Sequence, residues 1–121
     1  MTEALPLSDF ERAALTAIAA EYPEREAELN GIFQQCGATE RRNTGKGFFT
    51  ELKCPVTLPR GFNSPLGNAR FNLACLLHPF ECLLFHTNGF PALLEGYAMG
   101  GEDTSGIDFL SVKFSRQPPV G

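Results

Sequence analysis

The segment FECLLFHTNGFPALLEGYA, residues 80–98, carries the strongest hairpin signal in the chain. Asn88 and Gly89 tolerate the positive φ angles of a two-residue turn, and runs of apolar residues flank them on both sides. The pattern predicts two antiparallel strands in which Thr87 lies opposite Phe90. Every further pair then follows the same register, with residue numbers that sum to 177.

Both faces of these predicted strands are apolar, although antiparallel sheets with one wet face normally alternate apolar and polar residues. One face would carry Phe71, Leu73, Cys75, Leu84 and Leu93. The other would carry the interface candidates Leu76, Leu83, Phe85, Phe90 and Leu94. Because two modest helices cover only one face, we expect the second to be hidden by curling of the sheet around itself, or to be covered by another copy of the chain, another protein or a small lipophilic ligand. A homodimer is the first expectation, since twofold dimers are the commonest oligomers.

The N-terminal third has helical periodicity. Ser8 and Glu11 match a capping box, and apolar residues then recur at helical spacing. Pro23 ends this helix and starts a second, which ends before Gly37. Beyond it the chain alternates with the period of strands. The predicted fold class is therefore α+β, with two N-terminal antiparallel helices packed on a five- to six-stranded, mainly antiparallel meander sheet.

Length and charge limit the classes of protein. The 121 residues suit a single domain, 1–121, with about 1–6 and 116–121 expected to fray. A formal charge of −4 argues against nucleic acid as a partner, because phosphate binding needs a basic face. No apolar run is long enough to cross a bilayer, and the N-terminal segment is acidic, so we expect a cytoplasmic protein without a membrane partner.

Glu95 is the most unusual polar residue of the hairpin. The predicted register places it opposite Cys82, on an apolar face beside Tyr97. A carboxylate in such surroundings needs cationic or hydrogen-bonding partners, and Arg41 and Arg42 are candidates for that role. These arginines, Glu95 and Tyr97 form the candidate ligand-binding cluster, and a structural ion pair is the favoured interpretation of Glu95.

Catalytic and metal sites within the hairpin are not expected. His86 would lie about 13 Å from Glu95, too far for an acid–base dyad. The row His78, Cys82 and His86 matches metal ligands only on a helix, so no metal and no cofactor is predicted. If the connection before Phe80 is tight, Cys75 faces Cys82, and two free thiols are a simpler interpretation than a redox pair.

The turn RRNTGKGFF, residues 41–49, has two interpretations. Backbone amides exposed by glycines, together with nearby cations, can bind a phosphate or carboxylate. A hairpin turn that needs positive φ angles explains the same glycines without a ligand.

Two segments resemble a family of small bacterial proteins known only as hypothetical proteins. Its members share an R-x-x-T-G-x-G-F-F-T turn and a later L-E-G-Y segment after an N-G or D-G turn. The residues that fit are Arg41, Thr44, Gly45, Gly47, Phe48, Phe49, Thr50, Leu94, Glu95, Gly96 and Tyr97. That family has no assigned activity, so the resemblance implies a bacterial origin and no mechanism.

The sequence thus leaves two hypotheses for function. The first is a non-catalytic binding or interaction module that self-associates through an apolar sheet face. The alternative is a small enzyme or carrier, with an apolar pocket between helices and sheet and a polar cluster around Glu95. We favour the non-enzymatic hypothesis.

Overall fold

The computed structural model describes residues 4–117. Helix α1 spans Asp9–Ala20 and helix α2 spans Glu26–Phe33, joined through a short 3-10 turn. The strands are β1 Gly37–Asn43, β2 Gly47–Lys53, β3 Leu66–Leu73, β4 Phe80–Thr87, β5 Phe90–Ala98 and β6 Phe114–Arg116. They form one antiparallel sheet in the order β1-β2-β5-β4-β3-β6. The predicted α+β class, with helices before strands, is confirmed.

Helix α1 begins with the predicted capping box. The Ser8 hydroxyl accepts a hydrogen bond from the Glu11 backbone at 3.1 Å, and the Glu11 carboxylate accepts one from the Ser8 backbone at 2.7 Å. Phe10, Ala14 and Ile18 then bury one stripe of the helix. This stripe packs on β3 and β4, so α1 covers one side of the sheet.

The strand order departs from a simple meander, because β2 pairs with β5 rather than with β3. The loop of residues 54–65 passes the tip of the β4–β5 hairpin, where Leu58 donates its backbone N–H to the Gly89 carbonyl at 2.7 Å. The hairpin therefore occupies the middle of the sheet. Strands with two apolar faces fit this central position.

The core lies on the face that packs against the helices, which we call the inner face. Phe10 is its centre, and its ring lies 4.9–5.9 Å from the rings of Phe48, Phe71, Phe80 and Phe114. Aromatic pairs at such distances add to the hydrophobic stabilisation of the buried rings. Five of the eleven phenylalanines are buried in this core and three more pack against it: Phe10, Phe33, Phe48, Phe71 and Phe80, with Phe62, Phe109 and Phe114.

The segment 107–113 lies in turns and loop, although the sequence IDFLSVKFS, residues 107–115, predicts a closing strand. Asp108 accepts a hydrogen bond from the backbone of Leu110, which keeps this part in turns. The ring of Phe109 packs 5.0 Å from Phe48 and 5.4 Å from Phe80. Burial of that ring outweighs pairing as a strand, and only Phe114–Arg116 joins the sheet.

A β-bulge in β5 changes the predicted register. Thr87 pairs with Phe90 and His86 with Pro91 as expected, but Phe85 then pairs with Leu93. Ala92 is therefore an extra residue, and every later residue of β5 moves to the opposite face. The predicted faces of Leu93 and Leu94 are wrong: the side chain of Leu94 lies in the core, and Leu93 faces away from the helices.

The described ends of the chain are held in place. Leu5 exchanges two backbone hydrogen bonds of 2.8 Å with Ala38, and the backbone of Gln117 donates to Arg70. Of the fraying predicted for 1–6 and 116–121, the part at these positions stays a prediction. The rest of that prediction, 1–3 and 118–121, lies outside the described residues.

Candidate functional site

The face of the sheet turned away from the helices, the outer face, carries a central apolar patch. Cross-strand pairs place its side chains in adjacent rows, because paired residues share a face. We define the outer face by Phe49, Leu83, Phe85, Leu93, Glu95 and Tyr97. Within residues 4–117 neither helix packs on this patch, and its apolar side chains are half-buried.

The interface candidates lie in four different places. Leu83 and Phe85 lie on the outer face as predicted, and Phe90 is 43% exposed at the hairpin tip. Leu94 is fully buried in the core, so its assignment to an interface was wrong. Leu76 was also misplaced: it lies in the β3–β4 turn and packs against the core, because strand β3 ends at Leu73.

Glu95 lies on the outer face between Phe49 of β2 and Leu83 of β4. The bulge carries it there, away from the inner-face position opposite Cys82 that the sequence predicts. In the described chain it has neither an ion pair nor a hydrogen bond through its side chain. The predicted cluster with Arg41 is therefore wrong, because the Arg41 side chain projects from the inner face.

Tyr97 borders the outer patch and lies opposite Glu81 of β4. Burial raises the pKa of the Tyr97 phenol, and the neighbouring Glu81 carboxylate raises it further. Glu81 in turn is 3.3 Å from Arg70. Together these three residues form a polar edge on the β3–β4 side of the patch.

Arg41 and Glu11 form the main buried polar cluster of the inner face. Arg41 donates Nε–H to Glu11 Oε2 at 2.9 Å and Nη2–H to Oε1 at 2.8 Å, and Thr50 donates its hydroxyl to Oε2. Burial by itself would raise the pKa of Glu11, but these hydrogen bonds, that of the Ser8 backbone and the charge of Arg41 lower it. The Glu11 carboxylate raises the pKa of Arg41.

A cavity of about 180 Å³ lies beside this cluster. Its apolar walls are Phe10, Phe48, Phe49, Ile107, Phe109 and Leu110. Arg42, the other predicted ligand-binding arginine, lines the rim and stands 5.6 Å from the centre of the Phe49 ring. Glu95 and Tyr97 are not among the lining residues, and the polar group beside this cavity is the Glu11–Arg41 pair.

Sequence reasoning used Glu11 only as a helix cap and missed its second role. Its partners Arg41 and Thr50 lie opposite each other on β1 and β2. An inner-face arginine paired with a threonine is a signal that a buried carboxylate is needed nearby. The pattern did not indicate which acid of α1 would supply it.

The glycine turn uses its backbone donors within the chain. Gly45 donates its N–H to Asn43 Oδ1 at 2.9 Å, and Lys46 donates its N–H to Thr44 Oγ1 at 3.3 Å. Gly45 has φ of +84°, which fits the hairpin interpretation. Lys46 Nζ donates to the Gly101 carbonyl. The donors that could bind an anion at this turn are therefore already used within the chain, which argues against the anion-binding interpretation.

The two histidines are apart. Nε2 of His86 lies 3.1 Å from the carbonyl oxygens of both Phe62 and Asn63, which requires that Nε2 carry a proton and donate. Its Nδ1 is buried and has no partner in the described chain. His78 lies in the β3–β4 turn and contacts Glu102 at 3.2 Å. These neighbours tie loops to the sheet.

The predicted Cys75–Cys82 neighbourhood does not form. Cys82 is fully buried on β4 opposite Ala69, and Cys75 is exposed in the turn. The reason is register, because Phe71 pairs with Phe80 and the six residues 74–79 between β3 and β4 form the turn. Among the described residues, no three histidine, cysteine, aspartate or glutamate side chains cluster closely enough to hold a metal ion.

Fold and site together define a small α+β protein with helices on one side of the sheet and an outer face that neither helix of residues 4–117 covers. Neither helix within 4–117 has the length and apolar character that a bilayer crossing requires. Comparison of the chain with protein-family models, with curated proteins and with solved structures finds no match.

Proposed function

We propose that the chain is a non-catalytic binding module of the bacterial cytoplasm that self-associates through its outer face. The cytoplasmic and bacterial assignments rest on the sequence features and the resemblance described above. Self-association is supported by one observation: apolar side chains gather on the sheet face that no described helix covers. Contiguous exposed apolar patches of this kind commonly mark protein interfaces.

The size of the outer face fits a second copy of the chain. Five strands about 4.8 Å apart, each with roughly seven residues at about 3.3 Å, give a projected area of about 550 Å². Standard interfaces bury about 800 Å² of accessible surface per partner, and side chains make accessible area larger than projected area. The face is therefore near the lower limit for a stable dimer, with an expected Kd of roughly micromolar size.

Charge on and around the outer face also favours a second copy. Arg42 on β1 and Arg70 on β3 lie on opposite sides of the patch. Glu51 on β2 and Glu81 on β4 lie on the same face, between these two strands. A twofold interface brings the same surface together twice, so a face with both signs can complement itself. A highly charged partner such as nucleic acid has less to bind, because neither sign dominates here.

Glu95 limits the strength of this association. Its carboxylate lies within the patch and has no side-chain partner in its own described chain, so pairing of two faces removes it from water. Glu95→Gln should therefore tighten self-association by about tenfold. Analytical ultracentrifugation of both proteins measures this change, and an unchanged or weaker Kd would place Glu95 outside the interface.

The carrier hypothesis has one observation in its favour, the phenylalanine-lined cavity. Its volume is about 180 Å³, which is smaller than the roughly 300–1,000 Å³ of common ligand pockets. The polar groups at its side already satisfy one another, since both Glu11 oxygens accept hydrogen bonds from Arg41. Native mass spectrometry of the purified chain tests this hypothesis, which predicts a retained lipophilic ligand.

The self-association proposal is tested by matched charge insertions. Phe85→Glu puts a carboxylate into the outer patch, whereas Leu77→Glu makes the same change in type at a turn residue that is 93% exposed and off that face. Light scattering after size exclusion should show a concentration-dependent dimer for the parent and for Leu77→Glu, and a monomer for Phe85→Glu. Circular dichroism of each variant verifies that it is folded.

Two outcomes would overturn the proposal. The parent chain could remain monomeric at high micromolar concentration, which would leave the outer face without a second copy. Alternatively, a folded Phe85→Glu variant could dimerise as well as Leu77→Glu, which would place the interface elsewhere.

A further inference from the structure

The end of the β1–β2 ladder brings two cysteines together. Gly37 pairs with Lys53 at the last registered position, so Cys36 and Cys54 occupy the next position on each side. Residues directly opposite in an antiparallel ladder have Cα atoms about 4.5–5.5 Å apart. A disulfide spans Cα separations of about 4.4–6.8 Å. The backbone therefore has the spacing that a disulfide needs.

Their side chains also converge. Sγ of Cys36 lies 3.8 Å and Sγ of Cys54 lies 3.6 Å from the same atom, the carbonyl oxygen of Ile32 at the end of α2. Two thiols that share one acceptor are neighbours. Both side chains point to the inner side of the sheet, away from the outer face.

The surroundings restrict access to this pair without closing it off. Burial raises the pKa of Cys36, and the neighbouring Cys54 thiol raises it further, so the thiolate that reacts with oxidants is scarce. A hollow of about 480 Å³ reaches both cysteines and is bordered by the segment 4–6. That segment is held on β1 by the two Leu5–Ala38 hydrogen bonds. Its local opening would expose the thiols.

We propose that Cys36 and Cys54 are a reversible redox pair, oxidised by small-molecule disulfides to an intramolecular disulfide that joins the end of α2 to the end of β2. One protein thiolate attacks a sulfur of the reagent and releases one molecule of thiol, which leaves a mixed disulfide. The second protein thiolate then attacks the protein sulfur of that mixed disulfide and expels the second thiol. Two electrons and two protons pass from the protein thiols to the reagent.

The other two cysteines provide internal comparisons. Cys75 is exposed in the β3–β4 turn, so a small disulfide can reach it, but the described chain places no cysteine near it. Cys82 is fully buried on β4 and burial raises its pKa. Cys75 should therefore form only a mixed disulfide, and Cys82 should stay a thiol. This proposal does not depend on self-association.

The test is a redox titration of the full chain with oxidised and reduced glutathione. After acid quenching, free thiols are alkylated with N-ethylmaleimide in denaturant and the peptides are mapped by mass spectrometry. At the oxidising end Cys36 and Cys54 should both lose their alkylation sites, and one peptide pair should carry a disulfide with the loss of two hydrogen atoms. Excess reduced glutathione should restore both sites.

Variants locate the reaction. Cys36→Ala should abolish the disulfide, and the matched Cys75→Ala should retain it. The titration of the parent chain needs no variant, so it decides the matter even if Cys36→Ala fails to fold. Alkylation of both Cys36 and Cys54 at the oxidising end, or a disulfide that maps to other cysteines, would overturn the proposal.

Discussion

Replacement of Gly96 with alanine probes how closely the inner face is packed. Gly96 lies on β5 between Phe48 and Phe80, whose rings stack 5.9 Å apart with an angle of 5° between their planes. A Cβ at this position would overlap the Phe80 ring and stand 2.5 Å from Cε1 of Phe48. Both rings are buried, so neither can move away without disturbing the core.

The expected cost follows from two opposing effects. Overpacking a well-packed core costs about 1–3 kcal/mol. Alanine also lowers the conformational entropy of the unfolded chain. Because φ of Gly96 is not positive, this effect offsets about 0.4–1 kcal/mol of the packing cost. The net loss should be about 1–2 kcal/mol, and urea slopes of about 1–3 kcal/mol/M convert it to a midpoint lower by roughly 0.5–1 M.

Urea unfolding followed by circular dichroism measures this shift. Gly31→Ala is the matched control, because Gly31 is exposed in α2 and an added Cβ meets no atom within 4 Å. That variant should be more stable than the parent by about 0.5–1 kcal/mol. Phe80→Leu combined with Gly96→Ala should lose less than the sum of both changes, because the pair shares one contact. Equal midpoints for Gly96→Ala and the parent would refute this packing.

Two further predictions concern the bulge and the buried ion pair. Leu94→Ala should lower the free energy of unfolding by about 2–5 kcal/mol because it opens a core cavity. Leu93→Ala should lower it by under about 1 kcal/mol in the monomer. Urea unfolding measures both, and equal losses would contradict the observed faces. The lowered pKa of Glu11 stabilises the fold fully above the unfolded carboxyl's pKa, and this contribution is lost as pH falls through the folded value. Glu11→Gln should lower the free energy of unfolding by about 2–4 kcal/mol at pH 7. Between about pH 5 and 3 the stability of this variant should fall less steeply with pH than that of the parent. The same pH dependence in both proteins would contradict this role.

Much of the fold was readable from local chemistry. The capping box at Ser8 and the turn at Asn88 and Gly89 are both confirmed, because each depends on a few neighbouring residues. Both β4 and β5 also have the predicted bounds. Local signals of this kind do not specify which strands become neighbours, so the pairing of β2 with β5 was not predicted.

The register of β5 could not be read from the sequence, for a physical reason. A slip of one residue reverses the faces of a strand, and a polar residue on one face normally reveals it. Here Leu93 and Leu94 are the same residue type, so either can occupy the core. The bulge at Ala92 thus left no trace in the pattern, and it moved Glu95 to the outer face.

The polar site was predicted only in part. Arg41 was predicted as a candidate partner for the Glu95 carboxylate, whereas its ion pair is with Glu11. The contact joins α1 to β1 over thirty residues of sequence, and helix docking on the sheet decides it. Cys36 and Cys54 were missed for a related reason, since their pairing depends on an irregularity between Ala38 and Glu40 in the ladder.

Self-association through the outer face is tested most directly by isotope-filtered NMR on an equimolar mixture of labelled and unlabelled chains. Contacts detected between the two kinds of chain come only from an interface. We predict nuclear Overhauser effects from the Phe85 ring and the Leu83 and Leu93 methyl groups of one chain to outer-face protons of the other. Intermolecular effects confined to other residues, or none at a concentration well above the expected Kd, would contradict a dimer built on this face.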